Sequence, residues 1–286
     1  TIALFDSEPS GDKKDTQFTE KYGPWGVVTG ASQGVGAEYA RALAEKGMNI
    51  VMVARSGDKM TKLAKELSEE HGVSVRVLPA DLNTEDGVEQ VKAGTKDLKV
   101  GLLVNNAGAW QMGSFLENDI QKDAGNLGLN ISAPMKLSHE FGNRMKERGG
   151  GGIINVGSGA AAHGIPGQAT YSAGKGFLQN FTESLGPELR KHGIDIIQTN
   201  PAAIKGEASS IYDQSKVPLT LRELVHLMET VTCEEMESTG LVRHHWDFML
   251  SVAGVDAAIA FVSVSSAYYP DLEDWWESEA QTWGQE

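Results

Sequence analysis

Cysteine is almost missing from this chain of 286 residues, with Cys233 the only one. A disulfide framework is therefore excluded, and a reducing compartment, the cytoplasm, is the expected location. Cys233 sits in no redox pattern and reads as a structural thiol. Long apolar runs are absent as well: none reaches the ~18–20 residues of a spanning helix, so no membrane span is expected. Positive charge is short. The 25 Lys and Arg against 39 Asp and Glu leave a formal net charge of −14. No run of Lys or Arg offsets it, which argues against a nucleic-acid partner and against adsorption to an anionic membrane surface. No metal-ligand set is expected. The first residues include no Met and no signal-peptide core, so the start is expected to be processed or trimmed. Residues 1–22 are polar and charged, either an arm across the domain surface or a partner subunit, or a disordered tail.

Glycine is plentiful, with 33 residues, and 40% of the chain is hydrophobic. That length and composition suit a single α/β domain with a substantial core. The stretch Thr29-Gly30-Ala31-Ser32-Gln33-Gly34-Val35-Gly36 follows the apolar run Trp25–Val28 and opens a helical pattern through Ala37, Ala40, Leu43 and Ala44. A strand, a glycine-rich turn and a helix in that order suit a dinucleotide pyrophosphate. Gly30 permits the tight turn, Gly34 a close approach of backbone to phosphate, and Gly36 close packing of helix on strand. The free N–H groups and positive end of that helix then face the anion. The alternative is a glycine-rich turn without a ligand.

Further runs follow: Asn49–Ala54, Val73–Leu78, Val100–Asn105, Ile153–Val156 and Ile194–Thr199 read as strands. The first of these is apolar throughout, as in a strand buried on both faces of a parallel sheet. Helical patterns separate them, including Thr84–Leu98, a long stretch over about 119–146, and about Thr170–Lys191. Asn130 and Pro134 predict an irregular turn inside the long stretch, and Gly186-Pro187 predicts a kink in the last helix. Alternating strands and helices predict a doubly wound parallel sheet of Rossmann type, with ligands beyond the carboxyl ends of its strands. No internal repeat or dividing linker is visible, so residues 23–286 read as one catalytic domain, with about 204–286 a substrate lid and C-terminal extension.

Tyr171 and Lys175 are four residues apart and project from one helix face, Ser158 ends the preceding strand, and Asn130 lies in the irregular middle of the helix before that. With the glycine turn, Asp81 after the third strand, Asn105-Asn106-Ala107-Gly108 after the fourth and the turn Asn200-Pro201, these motifs resemble the short-chain dehydrogenase/reductase family over roughly residues 22–201. A fainter resemblance, in Lys21–Gly26 and Gly47–Val53, points to hydroxysteroid dehydrogenases and ketoacyl reductases.

The resemblance implies a catalytic group of Asn130, Ser158, Tyr171 and Lys175. Tyr171 would give its proton to the substrate oxygen as hydride reaches the carbon. Lys175 would favour the phenolate and hold the nicotinamide ribose. Ser158 would fix the carbonyl, and Asn130 a water linking Lys175 to solvent. Cofactor contacts are expected from Gly30, Ser32, Gln33, Gly34, Val35, Gly36, Arg55, Asp81, Leu82, Asn106, Ala107, Gly108, Tyr171, Lys175, Pro201, Ala202 and Ile204. Asp81 would face the adenine amine, with helix capping as its alternative. Ala54-Arg55 brings no acid after the second strand, and an arginine fork suits a 2′-phosphate. NADP(H) is therefore favoured over NAD(H).

Trp110, Ser158, Gly159, His163 and Tyr171 are expected to touch substrate, in a pocket of small and apolar residues that also includes Ala109, Ile165 and Pro166. Such a lining suits a bulky apolar ketone or secondary alcohol, steroid-like, acyl or polyketide. The alternative function is an NADP(H)-binding sensor or scaffold with little turnover. A homodimer or homotetramer is the family's habit. Two departures stand out. Pro201-Ala202 replaces the usual Pro-Gly, and the threonine that often follows is absent.

Overall fold

The computed structural model describes residues 3–5, 16–161 and 164–200. All of them fall in one compact unit spanning Thr1–Asn200. The expected lid and extension over 204–286 lie outside the described residues, as do His163, Pro201, Ala202 and Ile204.

Six parallel strands make the core of the sheet: β2 (Trp25–Thr29), β3 (Asn49–Ala54), β4 (Val75–Pro79), β5 (Val100–Asn105), β6 (Gly151–Val156) and β7 (Ile194–Thr199). A short antiparallel strand, β1 (Ala3–Phe5), adds to the β4 edge, giving the order β1-β4-β3-β2-β5-β6-β7. Order reverses at β2, which pairs with β3 on one side and β5 on the other. In doubly wound sheets the ligand crevice opens at this switch point, at the strands' carboxyl ends. The central strands are apolar because helices cover both faces: Val27, Val51, Val53 and Leu103 are fully buried.

The helices are α1 (Thr16–Tyr22), α2 (Gly34–Glu45), α3 (Gly57–His71), α4 (Glu85–Gly94), α5 (Ile120–Leu127), α6 (Ala133–Arg148) and α7 (Ala169–Arg190). A π-turn over Gly128–Ser132 joins α5 to α6, where an irregularity near Asn130 was expected. Pro134 can follow it because α6 begins there, and a first-turn proline gives up no helical hydrogen bond. Helix α7 runs through Pro187 to Arg190.

One described element departs from expectation, and the N-terminal arm adds two. Helix α4 stops at Gly94 rather than near Leu98. Thr95 Oγ1 donates back to Val91 O (2.8 Å), and Arg144 Nη2 reaches Lys92 O (3.0 Å), so side chains take the terminal carbonyls. The N-terminal arm is partly ordered as β1 and α1. Helix α1 lies at the amino ends of β5, β6 and β7, opposite the crevice: Tyr22 hydroxyl and Lys21 Nζ both reach Asp195 at the start of β7 (2.9 and 3.0 Å). Gly101 and Gly152 leave room there, since a Cβ at either would press on Tyr22.

Among the described residues no helix is long and apolar enough to cross a membrane.

Candidate active site

The glycine turn is built to leave polar groups open. Gly30 N–H and Ala31 N–H both donate to Val53 O (2.8 and 3.3 Å), which ties the turn to the end of β3. Gly30 and Gly34 take left-handed φ values of 67° and 60°, which a Cβ disfavours. Around Gly34 an added Cβ would meet nothing within 4 Å, so the turn faces open space. Gly36 is the opposite case: a Cβ there would overlap Gly30 O and Asn106 Nδ2. Gln33 precedes α2 as its cap residue but its side chain makes no capping bond. The first N–H groups of α2 thus remain for an outside acceptor. Open backbone, an uncapped helix end and a cradle that tolerates no Cβ fit a dinucleotide pyrophosphate.

Facing this turn, Thr29 organises the loop after β5. Its Oγ1 accepts from the N–H of Asn106 (2.9 Å) and of Ala107 (3.0 Å) and donates to Val104 O (3.1 Å). Asn106 Nδ2 returns a bond to Thr29 O (2.9 Å). Asp81 follows β4, and its Oδ1 accepts from Asn83 N–H (3.1 Å). The cap of α4 is Thr84, whose Oγ1 accepts from Gly87 N–H (3.0 Å), so helix capping is not the role of Asp81. Leu82 turns its side chain into the core and is 6% exposed, which leaves its backbone for any contact. Arg55 is exposed at the end of β3, and Ser32 and Val35 are half-buried in the turn.

At the other side of the switch point, α7 presents Tyr171 and Lys175 from one face. Lys175 is buried; its Nζ donates to Val156 O (2.7 Å) and lies 5.7 Å from the centre of the Tyr171 ring. Burial pushes the lysine down from 10.5 to about 8. Gly108 closes in on the same point: a Cβ there would stand 3.0 Å from Asn130 Oδ1 and 3.5 Å from Lys175 Nζ. Asn130 sits in the π-turn and grips Ala109 by both backbone groups, accepting from its N–H (3.1 Å) and donating to its O (2.7 Å). The π-turn widens the helix where that side chain must turn toward β5.

Ser158 follows β6. Its Oγ accepts from Ala160 N–H (3.2 Å), which leaves the hydroxyl proton to donate elsewhere. Gly159 is buried in the short turn that follows, and Trp110 is half-buried in the loop after β5. Ser172, beside Tyr171, accepts from Ile165 N–H (3.2 Å) and tethers the intervening loop. The structure therefore brings Gly108, Asn130, Tyr171 and Lys175 to one point, with Ser158 at the end of the adjacent strand.

A buried polar chain beneath the site has no counterpart in the sequence reading. Asn105 Nδ2 donates to Ser138 Oγ (3.0 Å) and Asn155 Oδ1 (2.9 Å), and Asn155 Nδ2 to Thr182 Oγ1 (2.8 Å). Gln198 Nε2 donates to Asn200 Oδ1 (2.7 Å), which also accepts from Ser158 N–H (3.1 Å). These links fasten β5, β6, α7 and β7 together directly under the reactive edge. Asn105, Ser158 and Asn200 lie in recognisable motifs, whereas spacing carried no signal for Ser138, Asn155, Thr182 and Gln198.

Fold and site together define the class: a Rossmann-type, nicotinamide-dependent oxidoreductase. The family described as short chain dehydrogenase matches residues 25–216, and the chain belongs to that family, whose members act on CH–OH groups. It is 36% identical over 180 residues to a 7beta-hydroxysteroid dehydrogenase of Clostridium sardiniense, covering 63% of this chain and 69% of the relative. It is 33% identical to a very-long-chain 3-oxoacyl-CoA reductase of Macaca fascicularis, covering 66% of this chain and 62% of that longer protein. A short-chain dehydrogenase from Sphingobium yanoikuyae in complex with NADPH superposes with a TM-score of 0.68 at 32% identity, covering 72% of this chain and 83% of that one. The fainter resemblance to hydroxysteroid dehydrogenases and ketoacyl reductases is thus found again among the chain's relatives.

Proposed function

We propose that this protein interconverts a ketone and a secondary alcohol on a bulky apolar substrate, using NADP(H). The observation that carries the reading is the meeting of Tyr171, Lys175, Asn130 and Gly108 at the carboxyl edge of the sheet, two strands from an uncapped glycine-turn helix. A nicotinamide dinucleotide supplies or accepts the hydride at such an edge. The chain's own groups do the rest. Ser158 donates its free hydroxyl proton to the substrate oxygen and orients it. Tyr171 passes its phenolic proton to that oxygen in reduction and takes it back in oxidation. Lys175, fixed by Val156 O, keeps two N–H donors for the ribose hydroxyls and presents positive charge to the Tyr171 ring. Asn130, held on Ala109, keeps the π-turn backbone in place for a water that returns protons from solvent.

Arg55 supports NADP(H): it is exposed directly after β3, and the first carboxylate that follows, Asp58, comes only in the first turn of α3. The small and apolar loop residues around Ser158, and relatives named for a steroid and a very-long-chain acyl substrate, support the bulky class. Assembly as a homodimer or homotetramer belongs to the same proposal.

The test is NADPH consumption against ketosteroids, ketoacyl thioesters and aromatic ketones, with NADH in parallel and the matching alcohols run in reverse. Turnover of one class with NADPH is expected. Tyr171→Phe should lower it by at least about 10²–10⁴-fold while dinucleotide binding persists. Undiminished turnover in that variant overturns the mechanism. NADPH binding without turnover of any ketone or alcohol would mean a sensor or scaffold instead.

A further inference from the structure

The rim of the crevice beside β3 carries a second cation that the motifs do not single out. Lys59 lies in the first turn of α3, four residues beyond Arg55. Its Nζ donates to Gln33 Oε1 at 2.7 Å, spanning from α3 to the glycine turn. The two segments are neighbours because Gly30 and Ala31 both bond Val53 O. Ser32-Gln33 and Ala54-Arg55 therefore run side by side.

Gln33 spends its side chain on Lys59 rather than on the helix it precedes. Its amide is neutral, so the ammonium keeps its full charge. Several cations of this acidic protein are matched by acids, Arg41 by Glu66, Lys65 by Glu69, Lys92 by Glu89 and Arg76 by Asp97. Among the described residues no carboxylate pairs with Arg55 or Lys59, and Asp58 in the same turn bonds neither. Ser56, which precedes α3, makes no side-chain capping bond.

We propose that Lys59, positioned by Gln33, reads the 2′-phosphate of the adenine ribose together with Arg55, so that cofactor selectivity rests on a pair of cations. This rests on the assignment of NADP(H) made above. A phosphate monoester carries close to two negative charges at neutral pH, its second pKa being near ~6. One guanidinium leaves part of that charge unmatched. An ammonium has three donors; with one on Gln33, two remain for phosphate oxygens.

The experiment is calorimetric titration of the cofactor-free full chain with adenosine 2′,5′-bisphosphate and with adenosine 5′-phosphate. Wild type should prefer the bisphosphate. Lys59→Ala should weaken the bisphosphate by about five- to tenfold and leave the monophosphate unchanged. Gln33→Leu should produce a smaller loss of the same selectivity, and Lys59→Arg should restore most of it. Raising salt should shrink the preference, since both cations are exposed. A Lys59→Ala protein that matches wild type while Arg55→Ala loses the preference overturns the role of Lys59 and leaves the NADP(H) assignment standing. Equal weakening of both ligands by Lys59→Ala also overturns it. A wild type without preference overturns the NADP(H) assignment itself, and the proposal with it.

Discussion

Lys175 holds its ammonium in the buried interior. Its single described hydrogen bond, to Val156 O, only partly replaces lost hydration, and burial lowers its pKa from 10.5 to about 8. The sign of the effect on stability follows. In the unfolded chain the lysine keeps its proton until pH ~10.4, whereas the folded chain releases it near pH 8. Between those values the unfolded state binds more protons, so this group makes stability rise with pH. The burial cost is fully present below pH 8 and is relieved as pH climbs through the window. Lys175→Met removes the titrating group. Relative to that variant, the wild type should gain on the order of 3 kcal/mol of unfolding free energy between pH 7 and pH 10.5, read by urea denaturation at several pH values. Parallel pH profiles for the two proteins would show that Lys175 titrates normally. The variant should also lose turnover, because Tyr171 loses its neighbouring charge.

At the scale of elements, two glycines on helices make opposite predictions. Gly36 lies in the first turn of α2, where alanine has the better helix propensity, yet its Cβ would collide with Gly30 O and Asn106 Nδ2. Gly36→Ala should cost about 1–3 kcal/mol as the helix is pushed off the turn, and dinucleotide affinity should fall with it. Gly125 sits on exposed α5 with nothing within 4 Å of a Cβ. Gly125→Ala should stabilise by about 0.5–1 kcal/mol, both effects being read from thermal denaturation. This contrast marks what sequence conveys about an element. The ranges Asn49–Ala54 and Val100–Asn105 agree with the observed strands because burial on both faces writes an apolar run; Ile194–Thr199 agrees as well, on Ile194, Ile196 and Ile197 among polar residues. The glycine turn is legible because its function demands missing side chains. The end of α4 is not, since Arg144, 49 or more residues away, helps to terminate it. The chain Asn105–Asn155–Thr182 is equally silent: each partner is an ordinary polar residue until the sheet and α7 bring them together.

For the whole molecule, the sequence conveys the parallel sheet and its switch point, while the treatment of its edge emerges only in three dimensions. β4 would end the sheet with unpaired backbone groups, and such an edge invites pairing with another chain. Three residues, Ala3, Leu4 and Phe5, pair antiparallel with Val77, Arg76 and Val75 and cover it. A strand this short, inside a polar N-terminal stretch, leaves no periodicity to read, and antiparallel addition breaks the βα alternation that identifies the others. Deleting residues 1–5 tests the role. The reactive edge lies at β2, β5 and β6, and the deletion leaves α1 and its bonds to Asp195 in place. Dinucleotide affinity should therefore stay unchanged. Loss of the added strand should lower the melting temperature by about 2–4 °C, the shift expected for ~1 kcal/mol in a domain of this size. An exposed β4 edge should also show itself in size-exclusion chromatography as association that grows with concentration beyond that of the full chain. A truncated protein with the same melting temperature and elution at every concentration would mean that β1 does not protect the sheet.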